Sequence, residues 1–511
     1  MERTSLFLLS LLAASCICDA AKILAVFPLP GKSHGILGGA VVKHLLNAGH
    51  EVTYITPFPK NNSNPKLHEV DVSANVKMIE VDNMDQSIYF IMMDVLSKMT
   101  LNNENVQTLL NDPTQHFDLI IAEWMFSELY AGFAGLYNAH LIWFSTIEPH
   151  WMILSLIDEY NNPSYNGYIV DDSPPYSFSQ RLTELFFTIK MTSCFTTFTI
   201  LVGNYLQTTG YNSIFAPLFE ARGRVAPYFS ELRYNASLVL GNSHVSMGYA
   251  TRLPQSYKPI GGYHIDVNVK PLPEDLKKLL DNSKHGVIYF SMGSNLKSKD
   301  MPSQLKKSLV EVFGSLKQTV LWKFEEKFPD LPKNVHIMDW APQQSILAHP
   351  NCVLFITHGG LLSTTETIFS GKPVIGIPVF ADQFMNVARS VGKGFARRVN
   401  LSYTMADKLK LEIEEILNNP KYAQKAKELS YVYHDRPVSP SQELVHWVNH
   451  VLKTDGAPHL RSAALIVPWY QKCYLDLAII VLIAIVLIKK AITLLLSVIK
   501  PKKLESTKKH N

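Results

Sequence analysis

Short apolar runs alternate with helical patterns along the first half of the chain. Residues 22–30, 51–56 and 117–122 are rich in aliphatic and β-branched side chains, as expected of buried parallel strands. Residues 35–48 lie between the first two runs and have helical periodicity. The pattern predicts a βαβ unit and therefore an α/β domain built on a parallel sheet.

A second series of the same kind begins near residue 287, with a strand followed by a glycine-containing turn. Further strands are predicted at residues 320–324, 335–338, 353–357 and 374–377, and a helix at 304–316. The proline- and glycine-dotted stretch 254–273 is the predicted linker. Two similar α/β halves predict two facing Rossmann-like domains, residues 21–260 and 261–455.

The last part of the chain is dominated by apolar residues. Residues 469–488 are long enough to span a bilayer, which needs about 20 residues. Lysines follow at positions 489, 490, 500, 502, 503, 508 and 509. Their excess predicts a transmembrane helix with a cytoplasmic basic tail, residues 489–511. A buried hairpin is the alternative, because residues 491–499 are apolar too and Asp476 is costly in lipid.

The first residues have the pattern of a secretory signal. An apolar stretch at residues 6–12 follows Arg3, and the small Ala20 offers a cleavage site, so residues 1–20 are predicted to be a signal peptide rather than a retained anchor. Sequons at Asn61, Asn235 and Asn400 agree with a lumenal body. The final Lys508-Lys509-His510-Asn511 resembles a dilysine retrieval signal of endoplasmic reticulum membrane proteins.

Composition narrows the class of protein. The 511 residues are 47% hydrophobic and 18% charged, which indicates a globular chain long enough for two domains. A net charge of +4 gives no reason to expect a nucleic-acid partner. Beyond the signal only Cys194, Cys352 and Cys473 remain, so neither a disulfide framework nor a zinc site is expected. No Asp-x-Asp pair is present, and we expect no metal in the reaction.

Candidate chemistry is concentrated in residues 340–386. His358 and Gly360 follow a predicted strand at its carboxyl end, where open α/β sheets bind ligands. Ser363 lies at the start of the next helix, whose free backbone N–H groups favour a phosphate. Glu366 is one turn further, and Asp382 follows the next strand. Their convergence on one sheet edge suits a nucleotide that carries a sugar.

Four pieces of this segment occur in a specific order and spacing: Trp340-x-Pro342-Gln343, Thr357-His358-Gly359-Gly360, Ser363-x-x-Glu366 and Asp382-Gln383. Together they resemble the signature of the UDP-glycosyltransferases, particularly the membrane-bound invertebrate members. The resemblance implies a GT-B fold with a cleft between two domains. It also implies a UDP-sugar co-substrate without a further cofactor and a small lipophilic acceptor. A homo-oligomer is left open.

The resemblance also implies a role for each donor-site residue. Trp340 would stack on uracil, Gln343 would bind the base or ribose, and Glu366 would accept from ribose hydroxyls. The diphosphate would meet His358, Ser294, Gly360 and the helix N-terminus around Ser363, and the sugar would meet Asp382 and Gln383. Leu362 is a departure, because plant relatives have asparagine there. Taken alone, each residue also has a structural explanation, such as Ser363 as an N-cap.

His34 is the candidate general base. It is predicted in the loop after the first strand, and an imidazole can take a proton from a hydroxyl near neutral pH. The family usually places an aspartate after the second buried strand to hold the histidine tautomer. This chain has Glu123 there, which is one methylene longer.

Several alternatives remain at this stage. Residues 31–35 fit the G-x-S-x-G pattern of a hydrolase nucleophile elbow with Ser33, but only the signal segment precedes them. A non-catalytic binding protein for a lipophilic ligand could share the fold. The invertebrate resemblance favours glucose over glucuronate as the transferred sugar, with inversion of configuration. The apolar segment 185–202 is predicted either as a core helix or as a membrane-facing border of the acceptor pocket.

Overall fold

The computed structural model describes residues 20–60, 62–78, 89–159, 164, 176–198, 204–248, 251–293, 301–326, 328, 330–472 and 474–499. The chain forms two compact units, residues 1–461 and 462–511. The larger unit contains two parallel sheets, which confirms the predicted α/β class with two Rossmann-like halves.

The first sheet has seven strands in the order β3-β2-β1-β4-β5-β6-β7, all paired in parallel. The strands are β1 Lys22–Val26, β2 Glu51–Thr56, β3 Leu67–Asp71, β4 Leu119–Trp124, β5 His140–Ser145, β6 Leu238–Gly241 and β7 Tyr257–Pro259. Every residue of β4 is buried, as expected of a central strand covered on both faces.

Eight helices accompany this sheet within the described residues: α1 Lys32–Asn47, α2 Tyr89–Leu101, α3 Glu104–Asn111, α4 Ala131–Tyr137, α5 Trp151–Leu154, α6 Phe178–Phe198, α7 Asn204–Ala221 and α8 Phe229–Arg233. A short 3₁₀ helix spans Ser73–Met78. Helix α1 packs its Leu37, Val41 and Leu45 side chains on the sheet, in one apolar cluster with Ile23 of β1.

The second sheet has six parallel strands in the order β10-β9-β8-β11-β12-β13. They are β8 Val287–Ser291, β9 Thr319–Lys323, β10 Val335–Met338, β11 Cys352–Thr357, β12 Val374–Gly376 and β13 Ala396–Arg398. The described helices of this half are α9 Glu274–Asn282, α10 Ser303–Gly314, α11 Gln343–Ala348, α12 Leu361–Ser370, α13 Gln383–Gly392, α14 Met405–Asn418, α15 Lys421–His434 and α16 Pro440–Lys453.

Helix α16 returns to the first sheet. Its Leu444, Val448 and Val451 belong to the same apolar cluster as Ile23 of β1. The helix starts at a capping box, in which the Ser439 side chain accepts from the backbone N–H of Gln442. The predicted second domain, residues 261–455, includes this helix. In the structure, however, the helix packs on the sheet of the first half. Hydrophobic periodicity alone cannot reveal this, because it does not say which sheet a helix covers.

Two boundaries near the amino terminus differ from the prediction. Strand β1 ends at Val26, four residues before the predicted end at residue 30, and α1 begins at Lys32 rather than at residue 35. His34 therefore lies in the first turn of a helix and not in a loop. The start was hard to predict because the N-cap, Gly31, has no side chain that could signal it.

Among its described residues the smaller unit contains one 3₁₀ helix, one short α-helix and one long α-helix. After Ala463–Leu465 come α17 Trp469–Lys472 and α18 Leu475–Ile499. Within the described residues, Leu475–Ser497 is the one segment long and apolar enough to cross a membrane. The predicted span, 469–488, starts earlier and ends earlier. The helix continues through Lys489 and Lys490 because lysine is a good helix former and the apolar residues resume after it.

The apolar segment predicted at 185–202 is partly described. Residues 185–198 lie in α6, while 199–202 and the side chains from 189 onward lie outside the described residues. Phe178, Leu182, Leu185 and Phe186 share one face of α6 and are exposed. This end of α6 is therefore not a core helix, and the membrane-facing alternative stays a prediction.

Candidate active site

Two polar side chains meet at the carboxyl edge of the first sheet. His34 lies in the first turn of α1, and Glu123 lies near the end of β4, the strand that pairs with β1. The His34 Nδ1 atom is 2.5 Å from Glu123 Oε1, and the glutamate side chain is only 1% exposed. A carboxylate in this position holds a proton on Nδ1, which leaves Nε2 able to accept a proton. The longer glutamate thus reaches the histidine.

A small, largely apolar cavity borders Glu123. Its walls are Pro28, Leu29, Met93, Leu96, Ser97, Met125 and Tyr130. Methionine side chains adapt to irregular shapes, so such a wall suits ligands that vary in outline. Glu123, the partner of His34, is the charged residue in this wall.

At the edge of the second sheet, His358 follows β11 and lies between two glycines. A Cβ atom on Gly293 would lie 2.5 Å from the His358 ring, and one on Gly360 would lie 2.8 Å from it. Only residues without side chains leave room for the imidazole. Burial lowers the pKa of His358 to about 4, with Lys323 adding to the effect. At neutral pH the ring can therefore offer an N–H to a phosphate but not a positive charge.

Helix α12 places Glu366 in a network of amide donors. Gly360 is its N-cap and Ser363 its third residue, so the structural alternative of Ser363 as an N-cap is excluded. Gln343 Nε2 donates to Glu366 Oε2 at 2.5 Å and to Ser363 Oγ at 3.1 Å. Gln344 Nε2 donates to Glu366 Oε1 at 2.9 Å. Burial raises the pKa of Glu366, while both amides oppose that shift.

The remaining predicted donor residues lie around the same edge. Asp382 occupies the N-cap position of α13 without a side-chain capping hydrogen bond, and it accepts from Asn386 Nδ2 at 2.7 Å. Gln383 Oε1 accepts from the Val379 and Phe380 N–H groups at 2.9 and 3.2 Å, which fixes the orientation of the side-chain amide. Ser294 lies in 294–300, outside the described residues.

Trp340 follows β10 at the carboxyl edge of the second sheet. Its side chain is 56% exposed, which fits a ring that stacks on a ligand better than a core residue. Lys32 Nζ of α1 lies 5.2 Å from the Trp340 ring centre, and Lys323 Nζ lies 5.8 Å from it. Both amines are within the range of a cation–π contact. The tryptophan therefore connects helix α1 of the first half with the second half.

Comparison with known proteins identifies the family of this chain. The sequence model described as "UDP-glucoronosyl and UDP-glucosyl transferase" matches residues 52–510, nearly the whole chain. The chain belongs to this UDP-glycosyltransferase family.

Relatives of this glycosyltransferase include "UDP-glucosyltransferase 2" of Dactylopius coccus, 32% identical over 91% of this chain and 90% of the relative. "UDP-glucuronosyltransferase 2A2" of Mus musculus is 36% identical over 44% of this chain and 43% of the mouse protein. Among solved structures, spinosyn forosaminyltransferase has a TM-score of 0.57 at 16% identity, over 85% of this chain and all of that chain. A Polygonum tinctorium UDP-glucosyltransferase complex has a TM-score of 0.54 at 17% identity, over 85% and 99%. These two likenesses confirm the GT-B fold.

Three residues of the glycosyltransferase that sequence reasoning missed lie close to the predicted ones. Gln344 shares Glu366 with Gln343, and the buried His264 ring approaches the same carboxylate. Glu148, after β5, interacts electrostatically with Asp382 and with α13. A second glutamine beside Gln343 was visible in the sequence. Nothing in the sequence pattern singled out His264 or Glu148.

Proposed function

We propose that this UDP-glycosyltransferase transfers glucose from UDP-glucose to a hydroxyl group of a small lipophilic acceptor, with inversion of configuration. The observation that carries the proposal is the 2.5 Å contact between His34 Nδ1 and the buried Glu123 Oε1. It supplies an oriented base at the carboxyl edge of the first sheet, within electrostatic range of Asp382 in the second half.

In the proposed reaction His34 Nε2 accepts the proton of the acceptor hydroxyl, and Glu123 stabilises the imidazolium that forms. The acceptor oxygen attacks the anomeric carbon from the face opposite UDP. The carbon–oxygen bond to UDP breaks, and the electron pair leaves with the diphosphate. Backbone N–H groups at the start of α12 and the N–H of His358 stabilise that developing charge.

The lipophilic class of acceptor is supported by the cavity beside Glu123. Four of its side chains, Leu29, Met93, Leu96 and Met125, form one apolar cluster. Apolar area removed from water contributes about 25 cal/mol per Å² to binding. We therefore expect phenols and other compact aromatic or aliphatic alcohols to bind better than sugars or charged acceptors.

Glucose is the proposed sugar because the glucosyltransferase relative of Dactylopius coccus aligns over 91% of the chain, whereas the mouse glucuronosyltransferase aligns over 44%. A glucuronosyl donor is the alternative. Asp382 and the NH₂ group of Gln383 are proposed to bind the sugar hydroxyls, and Trp340 and Gln343 are proposed to bind the uridine.

We further propose that the enzyme is a single-pass protein of the endoplasmic reticulum membrane, with a lumenal catalytic body. Helix α18 and the lysines beyond it support the anchor and its orientation. Asn235 and Asn400 are exposed, which is required of glycosylation acceptors, while Asn61 and most of the predicted signal peptide lie outside the described residues.

A transfer assay with the membrane-bound full chain tests the proposal. It is incubated with a panel of phenols and either UDP-glucose or UDP-glucuronate, and products are analysed by mass spectrometry and by NMR of the anomeric proton. We expect β-glucosides. Glucuronides would correct the donor, α-glucosides would contradict inversion, and binding of phenols without any product would favour a carrier protein.

A further inference from the structure

Residues 261–266 cross from the first sheet to the second half and are fixed to helix α1. The Tyr263 hydroxyl donates to the Leu37 carbonyl at 3.1 Å, and the Tyr263 carbonyl oxygen lies 2.8 Å from His44 Nε2. The tyrosine ring packs edge-on against Phe144 of β5. This crossing segment is therefore held by the same helix that carries His34.

The next residues of the crossing segment contact the donor site. His264 is completely buried, and its Nε2 atom lies 3.9 Å from Glu366 Oε1. The Asp266 backbone N–H donates to Gln344 Oε1 at 3.3 Å, and Gln344 Nε2 donates to that same Glu366 oxygen. Adjacent residues of one segment thus reach the base-bearing helix and the proposed ribose ligand.

The His264 ring has polar atoms that need a partner. Within the described part of the chain, neither ring nitrogen makes a hydrogen bond. Burial lowers the pKa of His264 to about 4, so the ring is neutral and has one N–H. A buried N–H without an acceptor is costly. The present 3.9 Å separation is about 1 Å longer than a hydrogen bond to Glu366.

Glu366 depends on Gln343 in this arrangement. The Gln343 amide bonds both to Glu366 Oε2 and to Ser363. If Gln343 turns to the nucleotide, the buried carboxylate loses one of its two amide donors. His264 is then placed to supply an N–H after a movement of about 1 Å.

We propose that His264 is a positioning residue of the donor site, which donates to Glu366 when nucleotide binds and so holds that carboxylate toward the ribose. The inference rests on the proposed role of Glu366 as a ribose ligand. Through Tyr263 the same segment keeps a fixed separation between Glu366 and the helix that carries His34.

The test measures UDP affinity by calorimetry and donor kinetics with UDP-glucose for the full chain in detergent. His264→Ala should weaken UDP binding about tenfold, which corresponds to ~1.4 kcal/mol. The KM for UDP-glucose should rise in proportion, while kcat at saturating donor stays within about twofold of wild type. His264→Gln, which retains a donor, should recover most of the affinity, and His264→Phe, which retains a ring without an N–H, should not.

A double-mutant cycle separates positioning from general damage. In a Glu366→Ala background, His264→Ala should weaken UDP binding no further. An additional tenfold loss there, or unchanged affinity in both His264→Ala and His264→Phe, would overturn the inference. If His264→Ala does not fold, His264→Phe decides by the same criteria.

The matched control is His50→Ala, because His50 is another buried histidine, 1% exposed, in the turn between α1 and β2. This variant should be less stable but bind UDP normally. An equal loss of UDP affinity in His50→Ala would assign the His264 effect to general destabilisation. Unchanged UDP affinity in Glu366→Ala would instead contradict the proposed donor site. If Glu366→Ala loses UDP affinity and His264→Ala does not, only the role of His264 is contradicted.

Discussion

The two sheet edges hold their functional groups in different ways. In the first half one carboxylate, Glu123, contacts one histidine, His34, and the surroundings are largely apolar. In the second half Glu366 is held by two glutamine amides and approached by a buried histidine. The first arrangement suits the transfer of a single proton next to a variable apolar ligand. The second suits a fixed polar ligand, because many directed hydrogen bonds specify one shape.

This comparison predicts that damage to one edge leaves the function of the other intact. The largest effect is expected for His34→Ala. Loss of a general base lowers the rate about 10²- to 10⁴-fold, so kcat with a phenol should fall by that factor. UDP affinity should stay within about twofold of wild type, because the proposed donor contacts lie in the second half.

The neighbouring Ser33→Ala is the control for His34→Ala, and it should remain active. If Ser33→Ala abolished turnover while His34→Ala did not, a serine hydrolase mechanism would replace the proposed one. A large loss of UDP affinity in His34→Ala would show that the two edges are not independent.

The difference between the halves also explains what the sequence could predict. Most of the predicted donor residues lie within one stretch of the sequence, from Trp340 to Gln383. His358 to Glu366 follow β11, and Asp382 and Gln383 follow the neighbouring β12, so the convergence of these residues follows from the topology of parallel sheets. The predicted family and the GT-B fold are confirmed by the comparisons.

The site in the first half was harder to predict from the sequence. His34 and Glu123 are 89 residues apart in the sequence, and only the family resemblance paired them. The structure gives the reason for the contact, because their strands, β1 and β4, are adjacent. The cavity walls Leu29, Met93 and Met125 come from three separate segments, and no spacing rule connects them. Their contact depends on how the helices pack over the sheet edge, which hydrophobic periodicity does not determine.

A second test concerns the donor edge and should have an intermediate effect. Stacking of a base on an aromatic ring contributes about 1–3 kcal/mol. Trp340→Ala should therefore weaken UDP binding roughly 5- to 150-fold. Trp340→Phe should retain part of the affinity, since it keeps a smaller ring. The acceptor KM at saturating donor should not change.

Titration calorimetry with UDP checks the Trp340 prediction. If Trp340→Ala binds UDP with wild-type affinity, the tryptophan is not part of the donor site. Equal losses of UDP and acceptor affinity would indicate that Trp340 connects the two edges through Lys32, whose amine lies 5.2 Å from the ring.

The smallest effect concerns a group that lies between the two edges. Glu148 follows β5 of the first sheet, and it interacts electrostatically with Arg389, Lys393 and Asp382 of the α13 region. Tyr257 of β7 is also within its electrostatic range. Burial raises the pKa of Glu148 from 4.5 to about 7, although Arg389 and Lys393 oppose that shift. Desolvation therefore outweighs attraction to the two cations at this position.

A raised carboxyl pKa means that the folded protein binds more protons than the unfolded chain between about pH 4.5 and 7. The contribution of Glu148 to stability is therefore fully present below pH 4.5 and is lost as the pH rises through 7.

Glu148→Gln removes this titration. The melting temperature of the variant should equal that of wild type at pH 4 and should be about 1–3 °C higher than that of wild type at pH 8. Differential scanning fluorimetry measures both. The exposed Glu311→Gln should show no such pH dependence. A Glu148→Gln variant that is less stable than wild type at pH 8 would mean that the ionised carboxylate links the two halves through Arg389 and Lys393, and that the edges are not electrostatically independent.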